Sequence, residues 1–283
     1  DGGQITISSG RDVSIEGGSF GSAISGSGSV FKVGTNSLLL SGTNSYSGPT
    51  VVSQGVLNVD GSIGGSAVTV GQGAALGGSG AVGAISGAGT VNPGNSPGIL
   101  TAPSVDPSGG LTFNFEFTSL NPVYSNAAGS SNDVLRLTSA TPFVASLTAT
   151  NTVNIYFNMD AVEAGDYYTG GIFTDVQADF LAAIAGADFN YYVKDAGGSV
   201  FYNQQSYSPV GDLSFGLSTA NQTANFASGT TTGQVMALSV VPEPSVSTLL
   251  LVAFGTAVWL RRRRMKTSAS AATEKLTQRN CAP

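Results

Sequence analysis

The chain has 283 residues, of which 41% are hydrophobic and only 10% are charged, and its net charge is −6. It contains no histidine and one cysteine, Cys281, which excludes an intrachain disulfide, Ser-His-Asp or Cys-His catalysis and a His/Cys zinc or copper site. Residues 1–240 contain 4 Lys/Arg and 15 Asp/Glu, whereas residues 241–283 contain 7 and 2, so the acidic first part lacks the clustered cations that nucleic-acid binding requires.

Residues 1–105 are rich in Gly, Ser, Thr, Val and Asn, and their β-branched clusters predict very short strands with frequent turns. The clusters lie at 5–7, 13–15, 30–33, 51–52, 56–59 and 68–70. Residues 23–30 return as residues 84–91, with six of eight positions identical at an offset of 61, which three coils of about 20 residues would fit. The pattern favours a right-handed parallel β-helix. A flexible Gly/Ser-rich linker is the alternative.

The stretch from Ser37 to Thr101 resembles the autotransporter-associated β-strand repeat. The resemblance rests on LLLSGTNSYSGPTVVSQGVL at 38–57, ALGGSG at 75–80 and PGNSPG at 93–98. One departure is Pro49, where the family commonly has a second glycine. Such repeats occur in autotransporter passengers and long surface proteins, so the resemblance implies a structural stalk without an activity of its own.

Residues 106–217 have longer, more aromatic strands, with period-2 alternation at 111–117 and 212–217. They predict a β-rich capping domain with one short helix. That helix would have Thr174 as its N-cap, Gln177 three residues later and Gly186 as its end. Its apolar face would consist of Val176, Phe180, Leu181 and Ile184.

Two groups of side chains could support chemistry in this domain. Asp160, Glu163 and Asp166 form the densest acidic group, but their spacing is too wide for a calcium loop and favours a turn with solvated carboxylates. A sugar-stacking face could be formed by Tyr167, Tyr168, Tyr191, Tyr192, Tyr202 and Tyr207. Packing between strands explains these tyrosines as well, and the adjacent Tyr191 and Tyr192 would point to opposite faces.

A linker is predicted over 218–241, with a polar stretch over 221–234, and an uncharged apolar segment follows at 246–260. As a helix that segment would span roughly 22 Å, which is short for a bilayer core of ~30 Å. Four arginines follow it: Arg261, Arg262, Arg263 and Arg264. Their long stems can reach the headgroups and fix this end on the cytoplasmic side. A buried core helix is the alternative.

The arrangement from Pro242, Glu243 and Pro244 to the arginines resembles the PEP-CTERM sorting signal of Gram-negative bacteria. The membrane helix would include Leu249, Leu250, Leu251, Val252, Ala253, Phe254, Val258, Trp259 and Leu260. The resemblance implies that an exosortase processes the chain near the tripeptide. Residues 265–283 depart from the family, which usually ends soon after the arginines; we expect a disordered, basic cytoplasmic tail there. We also expect a secretory leader upstream of Asp1.

Together these features predict an all-β, non-enzymatic surface protein of structural or adhesion type, anchored in the membrane of a Gram-negative envelope until an exosortase processes it. It would have a β-helix at 1–105, a capping domain at 106–217, a linker at 218–241, a sorting signal at 242–264 and a tail at 265–283. No cofactor is predicted. The expected setting is biofilm or exopolysaccharide, with extracellular polysaccharide as a candidate partner. The alternative is a fragment of a β-helical carbohydrate-active enzyme, or a carbohydrate-binding surface protein, whose active part lies upstream.

Overall fold

A computed structural model describes residues 4–95, 97–120, 131–158, 167–175, 180–194, 200–203, 213–226 and 229–242. The described chain is all-β with parallel sheets, consistent with the expected β-helix. Its N-terminal pair joins β1 (Ile5–Ile7) to β4 (Ile24–Gly26). Three larger sheets follow, and we call them sheets I, II and III.

Most consecutive strands of the chain belong to different sheets. Sheet I contains, in order, β2 (Asp12–Ile15), β5 (Ser29–Lys32), β7 (Thr50–Val52), β10 (Val68–Val70), β13 (Ile85–Gly87) and β16 (Val105–Asp106). Sheet II contains β3 (Gly18–Phe20), β6 (Ser37–Leu40), β8 (Val56–Val59), β11 (Ala75–Gly78), β14 (Thr90–Pro93), β17 (Thr112–Phe117), β19 (Thr152–Asn158), β21 (Asp188–Lys194) and β22 (Val200–Asn203). Sheet III contains β9 (Ser62–Ile63), β12 (Ala81–Val82), β15 (Ile99–Ala102), β18 (Val134–Leu137), β20 (Tyr167–Thr174), β24 (Gly229–Pro242) and β23 (Leu213–Phe226).

Each coil adds one apolar residue to a column inside the stack. In sheet II one such column consists of Leu38, Leu57, Leu76, Val91, Phe113 and Val153, all of them fully buried. Alternate residues of a strand point to opposite faces, so β17 buries Phe113, Phe115 and Phe117 and turns Asn114 and Glu116 outward. The short strands are therefore stable only because neighbouring coils cover them.

The coil length changes along the chain. Val30, Thr50, Val68, Ile85 and Val105 occupy equivalent positions of sheet I, so these coils take 20, 18, 17 and 20 residues. Later coils are about twice as long, because Thr112, Thr152 and Asp188 align in sheet II at intervals of 40 and 36 residues. The sheets continue through residue 105, where the sequence predicted a domain boundary.

The repeated segments at 23–30 and 84–91 do not occupy equivalent places in the stack. Ile24 pairs with Ile5 in the small N-terminal sheet, whereas Ile85 pairs with Val68 in sheet I. What the two segments share is the backbone conformation of the corner at the end of a strand. Gly26 and Gly87 have φ of +106° and +119°, and each packs on a carbonyl of the preceding coil. The coil length inferred from the offset is close to the observed one, but the offset itself does not correspond to three coils.

A buried lysine closes one turn between coils. Lys32 is fully buried, and its Nζ donates hydrogen bonds to the carbonyls of Val33, Gly34 and Gln54 at 2.8, 2.6 and 3.0 Å. Burial lowers the pKa of Lys32, and the nearby Glu16 carboxylate opposes that effect. Three converging carbonyls make a buried cation tolerable at this turn.

The C-terminal part of the described chain ends the parallel stacking. β24 pairs antiparallel with β20, and β22 pairs antiparallel with β21. Strands β23 and β24 fall largely within 218–241, where the sequence predicted a linker, and Val235 joins Ile99, Val134 and Phe173 in a buried cluster. The side chains of Arg136 and Asp175 form an ion pair at 2.8 Å, and Arg136 also donates a hydrogen bond to Thr231 Oγ1.

The helix α1 is described over Phe180–Ile184, and residues 176–179, including Val176 and Gln177, lie outside the described residues. Phe180 and Ile184 are buried as predicted, but Leu181 is 40% exposed. Thr174, the expected N-cap, is instead the last residue of β20. The Phe180 ring stacks on Phe143, which itself forms a β-bridge with Val105 of sheet I.

By contact density, residues 1–207 and 215–241 form one compact unit. Residues 208–214 and 242–283 form a second unit, of which only 213, 214 and 242 are described.

Candidate functional site

The outer face of sheet II has a column of hydrogen-bonded asparagines, which we call the asparagine ladder. Asn114 Nδ2 donates to Asn92 Oδ1 at 2.8 Å, Asn154 Nδ2 to Asn114 Oδ1 at 2.8 Å, and Asn190 Nδ2 to Asn154 Oδ1 at 3.2 Å. An amide has both a donor and an acceptor, so one side chain per coil can extend the chain of bonds indefinitely. The ladder fixes a row of amide groups across four coils.

A second column lies beside the ladder. Glu116, Tyr156 and Tyr192 are neighbours in register on β17, β19 and β21. The rings of Tyr156 and Tyr192 stack with centroids 4.8 Å apart and planes at 16°. That spacing matches the ~4.8 Å between adjacent strands, so the ring normals point along the stacking direction of the coils. The other face of the Tyr156 ring is therefore turned towards the strand that carries Glu116.

Tyr156 is half-buried, and its environment favours the protonated form of its hydroxyl. Burial raises the pKa of Tyr156, and the neighbouring Tyr192 and Glu116 act in the same direction. A neutral phenol can both donate and accept a hydrogen bond. The hydroxyl of Tyr156 is therefore neutral at neutral pH.

A groove of about 310 Å³ opens beside these two columns. It is lined by Asn92, Pro93, Gly94, Asn114, Glu116, Asp133 and Tyr156. The volume is near the lower end of the ~300–1,000 Å³ typical of ligand pockets. Gly94 is required in this wall, because it has φ of +89° and a Cβ there would lie 2.3 Å from Gly98 N and 2.6 Å from Asp133 Oδ1.

Two aspartates make hydrogen bonds to residues that follow Pro93 and Gly94, which line one wall of the groove. Asp133 is 4% exposed, and its two carboxylate oxygens accept hydrogen bonds from the backbone N–H groups of Gly98 and Glu116, at 2.9 and 2.7 Å. Asp60 Oδ1 accepts from Asn95 Nδ2 at 2.7 Å and from the Ser79 N–H at 3.2 Å. Since both carboxylates tie the loop to strands of neighbouring coils, the wall is preorganised.

The lining of the groove is polar, with two carboxylates among its side chains. Its seven lining residues include amides, carboxylates and a phenol, but no Ser, Thr, Cys or His that could act as a nucleophile with an adjacent base. No group of three or more His, Cys, Asp or Glu side chains that could hold a metal occurs among the described residues. Amides, carboxylates and a phenol are groups that take part in hydrogen bonds.

The residues predicted to sort and anchor the chain lie almost entirely outside the described ranges. Pro242 is the last residue of β24, and Glu243, Pro244, the apolar segment and the four arginines follow it. Within the described ranges, no helix has the length and apolar character that crossing a membrane requires. The predicted acidic group at 160–166 also lies outside them.

The six tyrosines considered from the sequence do not form one exposed face among the described residues. Tyr168 and Tyr191 are buried, and burial raises the pKa of Tyr191 to about 12. Tyr192 points outward, so the prediction that adjacent tyrosines face opposite sides is confirmed. The side chains of Tyr167 and Tyr202 and all of Tyr207 lie outside the described residues.

Sequence reasoning missed Tyr156 as the partner of Tyr192, and it missed the asparagine ladder and the groove. A signal for the ladder was present, because a short triplet ending in Asn recurs at each coil. The triplets are TVN at 90–92, TFN at 112–114, TVN at 152–154 and DFN at 188–190. Asp133 had no comparable signal, since its partners Gly98 and Glu116 are distant in sequence.

Comparison with known proteins supports the repeat. The profile of the Passenger-associated-transport-repeat family matches residues 30–59. The chain is 45% identical over 84 residues to an extracellular serine protease of Serratia marcescens, covering 29% of this chain and 8% of that protein. It is 42% identical over 81 residues to the adhesin BmaC autotransporter of Brucella suis biovar 1 (strain 1330), covering 27% of this chain and 2% of that protein.

These matches confirm the resemblance to an autotransporter-type repeat. The chain corresponds to less than a tenth of the length of either relative. The similarity therefore concerns a repeat-bearing stretch, and the activity of each whole relative belongs to that relative.

Proposed function

We propose that the protein is an exported, non-enzymatic cell-surface protein of structural or adhesion type. The observation that most supports this proposal is the passenger-associated repeat at 30–59, together with relatives named as an extracellular protein and an adhesin autotransporter. A stack of coils joined by backbone ladders suits such a role, because it needs no disulfide to remain folded. Its setting would be a biofilm or exopolysaccharide layer.

The C-terminal signal would determine where the protein goes. In this proposal Pro242, Glu243 and Pro244 form the recognition tripeptide, the segment at 249–260 spans the membrane, and the arginines at 261–264 stay on the cytoplasmic side. An exosortase would cut near the tripeptide and release the anchor. The order of the three parts and the change from net −11 before residue 241 to +5 after it support this assignment.

Two observations favour a binding or structural role over proteolysis, even though one relative is named a serine protease. The whole sequence has no histidine, so it cannot supply a Ser-His-Asp triad. The matched stretch is only 8% of that protease.

The test is to express the chain behind an export leader in a Gram-negative host with and without an exosortase. We expect an epitope in the 1–240 part to be accessible on whole cells, and mass spectrometry to show a C-terminus near residue 244 only when the exosortase is present. Glu243→Ala should block processing, whereas Glu274→Ala, the same change beyond the arginines, should not.

Either of two results would contradict the proposal. A mature protein that retains its peptide through Arg264 in the presence of the enzyme rules out processing. An epitope that stays protected in intact cells rules out a surface location.

A further inference from the structure

We propose that strand β24 protects the C-terminal tripeptide from the enzyme that cuts there, and that Leu238 determines how readily the end of this strand opens. The inference rests on the proposed function, since it concerns the same tripeptide, and it adds a regulation: cutting depends on whether the last residues of β24 are paired in sheet III. A general protease allows this protection to be measured without the exosortase.

Strand β24 is an inner strand of sheet III, where it lies between β20 and β23. On one side it pairs antiparallel with β20, and Ser239 lies opposite Tyr167. On the other side Ser218 Oγ of β23 donates a hydrogen bond to the carbonyl oxygen of Ala237 at 3.4 Å. Both edges of the strand are therefore occupied close to its C-terminal end.

The tripeptide follows this paired strand without a spacer. β24 ends at Pro242, which is the first residue of the tripeptide, and Glu243 is four residues after Ser239. Four residues span at most roughly 14 Å when fully extended. An enzyme that binds a few residues on each side of the bond it cuts must therefore bind residues of β24 as well.

A peptide bond in a paired strand is a poor substrate. In hydrolysis the oxygen of a water molecule adds to the carbonyl carbon, the C–N bond breaks, and the nitrogen takes up a proton. An enzyme that binds an extended chain does so through the backbone N–H and C=O groups of that chain. In β24 these groups make hydrogen bonds to β20 and β23. The segment at the tripeptide is therefore cut only after the end of β24 has left the sheet.

Burial along β24 indicates which side chain opposes this opening. Val235, Met236, Ala237 and Leu238 are fully buried, whereas Ser239 is half-buried. Among the described side chains of β24, Leu238 is thus the buried one nearest to the tripeptide. Opening that reaches it must expose a leucine to water, which is unfavourable. Leu238 therefore limits how often the residues before the tripeptide become available.

The test measures cutting of the purified full chain in mild detergent by two enzymes, the exosortase and proteinase K. Proteinase K cuts unpaired chain with little sequence preference, and mass spectrometry counts its fragments that end at residues 239–242. Leu238→Ala weakens the end of β24. Leu76→Ala is the matched control, because Leu76 is equally buried but lies on β11 in sheet II.

A disulfide between β24 and β20 makes the opposite change. Ser239→Cys and Tyr167→Cys place cysteines directly opposite each other, where Cα atoms are ~4.5–5.5 Å apart and a disulfide fits. The disulfide is formed, and the oxidant removed, before either enzyme is added. Cys281→Ser in every variant removes the competing thiol, and Ser239→Cys alone is the control.

We expect both enzymes to cut Leu238→Ala at least about tenfold faster than the parent, and Leu76→Ala within about twofold of it. The disulfide should slow cutting at least about tenfold, reduction should restore it, and Ser239→Cys alone should behave like the parent. The proposal is overturned if the disulfide leaves cutting unchanged or if the two leucine variants are cut equally fast. If proteinase K follows the expected pattern but the exosortase cuts no variant, the protection by β24 is supported and the proposed processing is contradicted.

Discussion

Replacing Gly87 with alanine tests whether the coils pack as closely as the structure requires. Gly87 has φ of +119°, and a Cβ at this position would lie 2.1 Å from the Val70 carbonyl oxygen of the preceding coil. The same oxygen accepts hydrogen bonds from the N–H groups of Ala88 and Gly89 at 2.9 and 3.0 Å. An added methyl group must therefore push the coils apart at a point where two hydrogen bonds join them.

The expected loss of stability has two parts. Placing an L-residue at such a φ costs ~1–3 kcal/mol. Forcing an extra carbon into a well-packed contact costs ~1–3 kcal/mol. We expect Gly87→Ala to lower the free energy of unfolding by about 2–6 kcal/mol.

Two other glycines distinguish the backbone cost from the packing cost. Gly73 has φ of +78°, and a methyl group added there would meet nothing within 4 Å, so Gly73→Ala should cost only the backbone part, ~1–2 kcal/mol. At Gly83, where the backbone φ is not in the left-handed region, a Cβ would lie 2.1 Å from the Ser66 carbonyl oxygen. Gly83→Ala should therefore cost only the contact part, ~1–3 kcal/mol.

The assay is urea unfolding of the full chain in mild detergent, followed by far-ultraviolet circular dichroism. Close packing at this corner is refuted if Gly73→Ala destabilises the protein as much as Gly87→Ala. Close packing between Gly83 and the Ser66 carbonyl is refuted if Gly83→Ala stays within ~0.5 kcal/mol of the parent.

The remaining predictions concern three polar groups. Asn114→Ala removes two bonds of the asparagine ladder and should cost about 1–2 kcal/mol, against about 0.5–1 for Asn190→Ala, which removes one; equal losses in urea unfolding would contradict the ladder. Lys32→Met leaves three carbonyls without their donor and should cost about 2–4 kcal/mol; a melting temperature equal to that of the parent would contradict this. The folded pKa of Tyr191 is raised from 10.0 to about 12, so the folded chain keeps a proton that the unfolded chain loses, and stability should fall by about 2–3 kcal/mol between those pH values. Tyr191→Phe should lack that part of the alkaline loss, and an unchanged pH profile would contradict the assignment.

The short strands were predictable because their signal is local. The β-branched clusters at 30–33, 56–59 and 68–70 coincide with β5, β8 and β10 to within one residue. The stacking order was less accessible, because it depends on which coil lies above which. The segments at 23–30 and 84–91 share a sequence since they share a corner geometry, yet they belong to different sheets.

The strands β23 and β24 were missed because their composition is polar. A stretch rich in Thr, Asn, Gln and Gly is typical of linkers, and its β character comes from pairing with β20 rather than from its own pattern. The buried run from Val235 to Leu238 was the available signal. Similarly, Leu181 fits an apolar helical face in the sequence, but of the three apolar residues described in this helix only Phe180 and Ile184 are buried.

The groove exists because the stack changes at residues 93–133. Coils of similar length place equivalent residues above one another, as Leu38 and Leu57 are in the repeat at 30–59. Between β14 and β19 the spacing in sheet II increases from 22 to 40 residues, and the longer coil brings Asp133 against the loop at 93–98. The regular coils thus support the fold, while the departure from regularity creates a concave surface with fixed polar groups. Any binding specificity of the described chain should therefore change with substitutions at 92–133 and remain unchanged with substitutions inside the repeat.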